Sequence, residues 1–215
     1  MKLRRVELVN IILVAVAFIA AAFIYPALPE RVASHWNIAG DVDGYVGRFW
    51  GAFLLPFVAL GMCVLFFAVP RFDPKRNNIE KFGKIFDLFV LVLLIFLFYI
   101  YALTLFWTFG YRFNMGQFMA PGLAIIFFAA GKLIQKSEPN WSIGIRTPWT
   151  LSNETVWRKT HALGGKLFMA TAVLTLVGAL FPSLAFWFFI VPVILSSVIS
   201  VVYSYTEYLK VSKNN

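Results

Sequence analysis

The chain holds two histidines, His35 and His161, and any acid–base or metal chemistry would have to be built around one of them. His35 sits in the stretch Leu28-Pro29-Glu30-Arg31-Val32-Ala33-Ser34-His35-Trp36-Asn37-Ile38-Ala39-Gly40-Asp41-Val42-Asp43-Gly44-Tyr45, with Asp41 and Asp43 as its nearest carboxylates. One imidazole and two carboxylates can ligate a divalent cation, but their spacing matches no recognised ligand pattern. A turn-stabilised surface that meets a ligand or peptide is the better reading. Ala39-Gly40 and Asp43-Gly44 permit tight reversals, and Trp36, Tyr45 and Trp50 are aromatics of the kind that anchor at headgroup level.

His161 ends a second informative stretch, Asn140-Trp141-Ser142-Ile143-Gly144-Ile145-Arg146-Thr147-Pro148-Trp149-Thr150-Leu151 and then Ser152-Asn153-Glu154-Thr155-Val156-Trp157-Arg158-Lys159-Thr160-His161. Ser152 or Asn153 is placed to cap a helix whose first turn contains Glu154, a carboxylate near the positive end of the dipole. Trp157 and His161, four residues apart, then share a face. That helix is expected to lie at a membrane interface and to lead through Gly164-Gly165 into a crossing. Its apolar loop reads either as a packed plug or as a docking platform. An enzyme would have to draw on Arg146, Thr160 and His161 alone, and one histidine is not a catalytic centre. The single cysteine, Cys63, excludes an intrachain disulfide and a cysteine zinc cluster. No cofactor or metal site is expected.

The elements that carry these loops are apolar runs. Of 215 residues 60% are hydrophobic and 13% charged, against roughly half and a quarter in a soluble domain. A helix needs about 20 apolar residues to cross the hydrocarbon core. Six segments suffice: Val6–Tyr25, Trp50–Val69, Ile85–Phe109, Phe118–Ile134, Gly164–Phe181 and Leu184–Tyr203, the last two divided at Pro182-Ser183. Lys2, Arg4 and Arg5 before the first run, with Ala20-Ala21-Ala22 inside it, imitate a signal peptide. The run is longer than a signal core and continues past the alanines, so it is expected to remain as a helix.

A net charge of +9 raises the possibility of nucleic-acid binding until the cations are located. Sixteen of the 19 lysines and arginines fall at the amino end, in the second and fourth connections and in the tail; only Arg31, Arg48 and Arg112 fall opposite. Retention of Lys and Arg on the cytoplasmic side then puts both termini in the cytoplasm, the His35 loop outside and the His161 loop inside. The charge reports topology, and no direct nucleic-acid binding is expected.

Ionisable groups at helix centres are costly and mark ion or proton paths. Here the centres lack them, and Glu7, Asp87 and Glu207 fall near cytoplasmic ends, where water or headgroups are expected to solvate them. Thr171, Thr175, Ser196, Ser197, Ser200 and Ser204 are small hydroxyl residues at helical spacing. They are expected to let helices approach and share hydrogen bonds rather than to line a substrate path.

The two stretches together resemble the SdpI family of bacterial immunity proteins. Pro29, His35-Trp36-Asn37, Gly40 and Asp43-Gly44 look like the family's amino-terminal domain of otherwise unknown function. Ile143-Gly144-Ile145-Arg146-Thr147-Pro148-Trp149-Thr150-Leu151, then Val156-Trp157 and Thr160-His161, look like its carboxy-terminal signature. The expected protein is all-α, a six-helix plasma-membrane chain in three parts. These are an amino-terminal hairpin over 1–70, a central hairpin over 71–134, and the signature loop with the last hairpin over 135–215. The resemblance implies a non-enzymatic protein that protects its cell against a secreted peptide toxin and, in the founding member, also captures a repressor at the membrane once toxin is present. In that reading a toxin meets His35, Trp36, Asn37, Gly40, Asp41, Asp43, Gly44 and Tyr45, and a regulator meets the loop of Gly144, Arg146, Thr147, Pro148, Trp149, Trp157, Thr160 and His161. Membrane lipids are the remaining partners. The alternative is a small-molecule or lipid transporter, which the hydroxyl residues and six crossings would suit.

Overall fold

The computed structural model describes residues 4–213; Lys2, counted above among the amino-terminal charges, lies outside them. Among the described residues six helices are long and apolar enough to cross a membrane. They are α1 (Arg5–Ile24, continued by a short 3-10 turn to Ala27), α2 (Arg48–Phe72), α4 (Gly83–Thr108), α5 (Met115–Lys136), α7 (Glu154–Gly178) and α8 (Ala185–Ser212). Two short helices, α3 (Arg76–Lys81) and α6 (Pro148–Ser152), sit in connections. The chain is thus a six-helix, multi-pass membrane protein of the all-α class.

Two boundaries differ from those expected. The helix expected to lie at the interface before Gly164 and the fifth crossing are one continuous helix, α7, which Asn153 starts by accepting from the Thr155 and Val156 N–H groups. The first loop contains a β-hairpin, β1 (Arg31–Trp36) paired antiparallel with β2 (Val42–Gly47). The reversal lies at Asn37–Asp41, through Gly40, while Asp43-Gly44 is inside β2 and does not form the turn. Gly44 stands opposite His35, where an added Cβ would come within 2.8 Å of the His35 Cβ. Glycine in a strand here serves close approach rather than reversal.

Packing divides the bundle into two groups. The apolar sides of α1, α2 and α4 enclose Val14, Ala59, Cys63, Phe86, Val90 and Leu94. On the other side α5 packs on α7 so closely that a Cβ on Gly165 would lie 2.6 Å from the Gly131 carbonyl oxygen. Small residues are what allow such contact within a bilayer, where packing must replace the hydrophobic drive. Thr171 and Ser196 share a hydrogen bond of 2.9 Å between α7 and α8, and Thr175 and Ser200 bond back to the carbonyls of Thr171 and Ser196. The outer surface is apolar, with Ile12, Phe23, Leu65, Ile125 and Val202 exposed, as expected for helices facing lipid tails.

Glu7 and Glu207 depart from the expectation of solvation by water or headgroups, whereas Asp87 stays partly exposed. Glu7 is 1% exposed and is held by Arg4 and by Arg71 at 2.8 Å, while Arg4 also reaches Asp87 at 2.7 Å. Glu207 is buried between Lys159 at 2.7 Å and Lys210 at 2.5 Å. A buried carboxylate is tolerated beside a cation, and here the cations Arg4, Lys159 and Lys210 keep their own contact with solvent.

Candidate functional site

The starts of α1, α4 and α7 and the ends of α2, α5 and α8 meet at one end of the bundle, together with residues 137–153. These residues form a plug. Trp157 is fully buried on α7, and its indole N–H donates to the Ser137 carbonyl at 2.9 Å. One turn on, the His161 ring stacks against it, with centroids 3.9 Å apart and 18° between planes. Nε2 of His161 accepts the Ile145 N–H at 3.0 Å, so Nδ1 carries the proton and donates to the Trp157 carbonyl at 2.8 Å. That is the neutral Nδ1–H tautomer, with both nitrogens committed to backbone. The chain reaches the ring by turning at Gly144, whose φ of +117° is open to glycine and strained for other residues.

Other side chains close the plug. Asn140 accepts the Ser142 and Ile143 N–H groups and donates to the carbonyls of Glu138 and Ile143. Asp73, beyond the end of α2, accepts from the Trp141 N–H at 3.0 Å, the Ser142 hydroxyl at 2.6 Å and the Lys75 N–H at 2.7 Å. Thr147 caps α6 and bonds to Ser204 of α8 at 3.0 Å, while Thr150 donates to the Ile145 carbonyl. Trp149 leans on Tyr205 with ring centroids 5.0 Å apart. Of the residues expected here, Thr147, Trp157, Thr160 and His161 are buried, whereas Arg146 and Pro148 are exposed with the neighbouring Trp141. Asp73 and Ser137 are partners outside the residues expected from the sequence, and Ser204, expected only to help helices approach, also holds Thr147. Asp73-Pro74 signals a turn, and nothing local ties it to residues 68 and 69 positions onward.

At the opposite end β1 and β2 stand over the bundle. His35 Nδ1 and Asp43 Oδ1 are 2.5 Å apart across the hairpin, both largely exposed. Asn37 organises the reversal by accepting the Asp41 N–H on its side chain. Gly40 has φ +88°, and Asn114, which caps α5, donates to the Ala39 carbonyl at 3.0 Å. Trp36 meets Trp107 of α4 edge to face, and Arg31 lies over the Tyr45 ring at 4.9 Å. Asp41 does not join His35 and Asp43 in a cluster, since among the described residues no three His, Cys, Asp or Glu side chains come together closely enough for a metal. Beside β1 a cleft of about 370 Å³ separates the hairpin from α4, α5 and α8.

Comparison with known proteins bears on both ends. Residues 136–204 match the SdpI/YfhL protein family, covering the plug, α7 and most of α8. Residues 12–60 match a domain of unknown function, DUF1648, covering α1, the hairpin and the start of α2. The chain is 30% identical over 214 residues to the immunity protein SdpI of Bacillus subtilis (strain 168), an alignment that takes in 96% of this chain and 97% of that protein. No solved structure matches it. With both characteristic loops present and the likeness running nearly end to end, the chain belongs to the SdpI family, as a multi-pass protein of the plasma membrane.

Proposed function

We propose that this chain is an immunity protein that protects its own cell from a secreted peptide toxin, with the hairpin turned outward and the plug turned to the cytoplasm. The observation that carries the reading is the near full-length likeness to an immunity protein. The segregation of Lys and Arg to the plug end supports the orientation. The hydroxyl groups a carrier would need for a polar path are largely taken up in bonds within and between α7 and α8. That weighs for immunity over transport. A non-catalytic role is supported by His161, whose two nitrogens are both engaged by backbone groups and leave none free to move a proton. The exposed Trp141, Arg146 and Pro148 form the part of the plug surface on which a cytoplasmic repressor would dock.

The test is survival. A Bacillus subtilis strain lacking its own immunity protein is exposed to the peptides secreted by strain 168, with and without this chain. Survival is expected to rise with the chain, and equal killing in the two cultures would sink the reading for that peptide.

A further inference from the structure

The hairpin is a sheet of two strands among the described residues, so β1 has one edge taken by β2 and one edge free. A two-stranded hairpin is at best marginally stable alone, and a free strand edge presents unpaired N–H and C=O groups that pair readily with another extended chain. The cleft lies against this strand. It is lined by Ser34, His35 and Trp36 of β1, by Asn37 and Ile38 of the reversal, and by no residue of β2. The cleft therefore meets β1 on the side away from its partner strand, where the pairing with β2 is already irregular at Ser34 and His35.

The chemistry of the lining is amphipathic. Its floor is Met115, Met119 and Leu123 of α5 with Phe186 and Phe189 of α8. Methionines adapt to varied apolar shapes and recur on surfaces that take hydrophobic peptide segments. The indole N–H of Trp36 is buried and has no acceptor among the described residues. A buried donor left in that state is costly, and an acceptor brought in beside β1 relieves the cost.

We infer that the free edge of β1 and the cleft beside it receive an extended apolar peptide segment as a third strand. Backbone groups at 34–36 pair with the incoming chain, a carbonyl of that chain accepts from the Trp36 indole, and its apolar side chains enter the methionine and phenylalanine floor. This is strand addition, in which main-chain bonds supply affinity and side-chain pockets supply choice. The occupant is a peptide on the strength of the immunity reading above, and the site deepens that reading by naming where and in what conformation the peptide is held.

The experiment uses the full chain in lipid nanodiscs, with the peptides secreted by Bacillus subtilis strain 168 as the probe. Amide hydrogen exchange at residues 34–36 is followed with and without peptide, alongside the survival assay. Exchange at these amides is expected to slow about tenfold when peptide is added, the mark of new backbone hydrogen bonds. Trp36→Phe keeps an aromatic ring against Trp107 and removes the donor, so it is expected to weaken peptide binding about fivefold, the loss of one ordinary hydrogen bond. Tyr99→Phe, in the lipid-facing groove between α4 and α5, is expected to leave binding unchanged. Slowed exchange without any gain in survival would retain the site and remove the immunity reading for that peptide. Survival with unchanged exchange at 34–36 and a fully active Trp36→Phe variant would retain immunity and overturn the site. Exchange already slow in nanodiscs alone and unaltered by peptide would assign the cleft to a lipid chain and likewise overturn it. Neither response would remove both.

Discussion

The plug and the hairpin are the two loops whose sequences stand out, and they treat their polar groups in opposite ways. In the plug Trp157, His161, Asn140, Asp73, Thr147 and Thr150 are turned inward, each bonded to main chain or to another buried side chain, and of the buried plug residues the Thr160 hydroxyl alone lacks a partner among the described residues. In the hairpin His35 and Asp43 pair in the open, and among the described residues β1 keeps a free edge and the Trp36 indole has no acceptor. A distinctive sequence can therefore arise from either of two demands. The plug closes an irregular chain segment against helix ends, where unmet backbone groups are expensive. The hairpin leaves groups unmet, which a folding requirement alone does not explain.

The sharpest way to break this contrast is Trp157→Ala. Trp157 is 0% exposed, carries the stack with His161 and donates to Ser137. Truncating a buried aromatic costs about 3–5 kcal/mol. The midpoint of thermal unfolding in detergent is expected to fall by about 6–20 degrees or the protein to be lost from the membrane. A midpoint unchanged within error would mean that the plug does not support the fold.

Asp73→Asn comes next. Asp73 is buried and accepts from three donors, two of them in the plug. Hydrogen bonds to a charged acceptor contribute about 1.5–3 kcal/mol, and an amide must point its NH2 group at one set of donors. A loss of about 2 kcal/mol is expected, with faster amide exchange at Trp141 and Ser142. Exchange altered only around residues 74–75 would mean that Asp73 serves its own turn and not the plug.

How much of this was legible in the sequence depends on the range of the interactions. The six crossings were, because hydropathy over about 20 residues records the bilayer directly. A cap at Ser152 or Asn153, which the structure assigns to Asn153, and the shared face of Trp157 and His161 were, because each is a relation within one helical turn. The continuity of α7 was missed, since Lys159, His161 and Gly164-Gly165 interrupt the apolar pattern that marks a span. They are accommodated by Glu207, Ile145 and α5, which a local window cannot see. The strands were missed because Val32 and Ala33 are both buried and the pairing shifts around Ser34, which erases the alternation that signals β structure. Asp73 reaches residues 68 and 69 positions away. No spacing rule connects them.

Gly40→Ala moves the comparison to the hairpin. The φ of +88° is strained for alanine, and its Cβ would lie 2.5 Å from the Asn114 amide nitrogen. A left-handed conformation costs an L-residue about 1–2 kcal/mol, and displacement of Asn114 also loosens the cap of α5. The expected result is faster exchange across 31–47 and the first turn of α5, with the plug amides unchanged. Equal acceleration in the plug would show that the two ends are coupled rather than independent.

The smallest structural effect is expected from His35→Ala, and it separates the two regions most cleanly. The His35 side chain is 70% exposed and its partner Asp43 is 46% exposed. A pair so open to water contributes under about 1 kcal/mol to stability, so the unfolding midpoint is expected to stay within a degree or two. Yet His35 borders the cleft next to Trp36, and loss of one contact there lowers peptide affinity by about fivefold. The dose of secreted peptide that kills half the cells should fall accordingly, while His35→Asn, able to keep a donor toward Asp43, retains part of the protection. If His35→Ala instead unfolds the protein as Trp157→Ala does, the hairpin is structural in the same sense as the plug. The contrast between a loop that closes the fold and one left open for a partner is then lost.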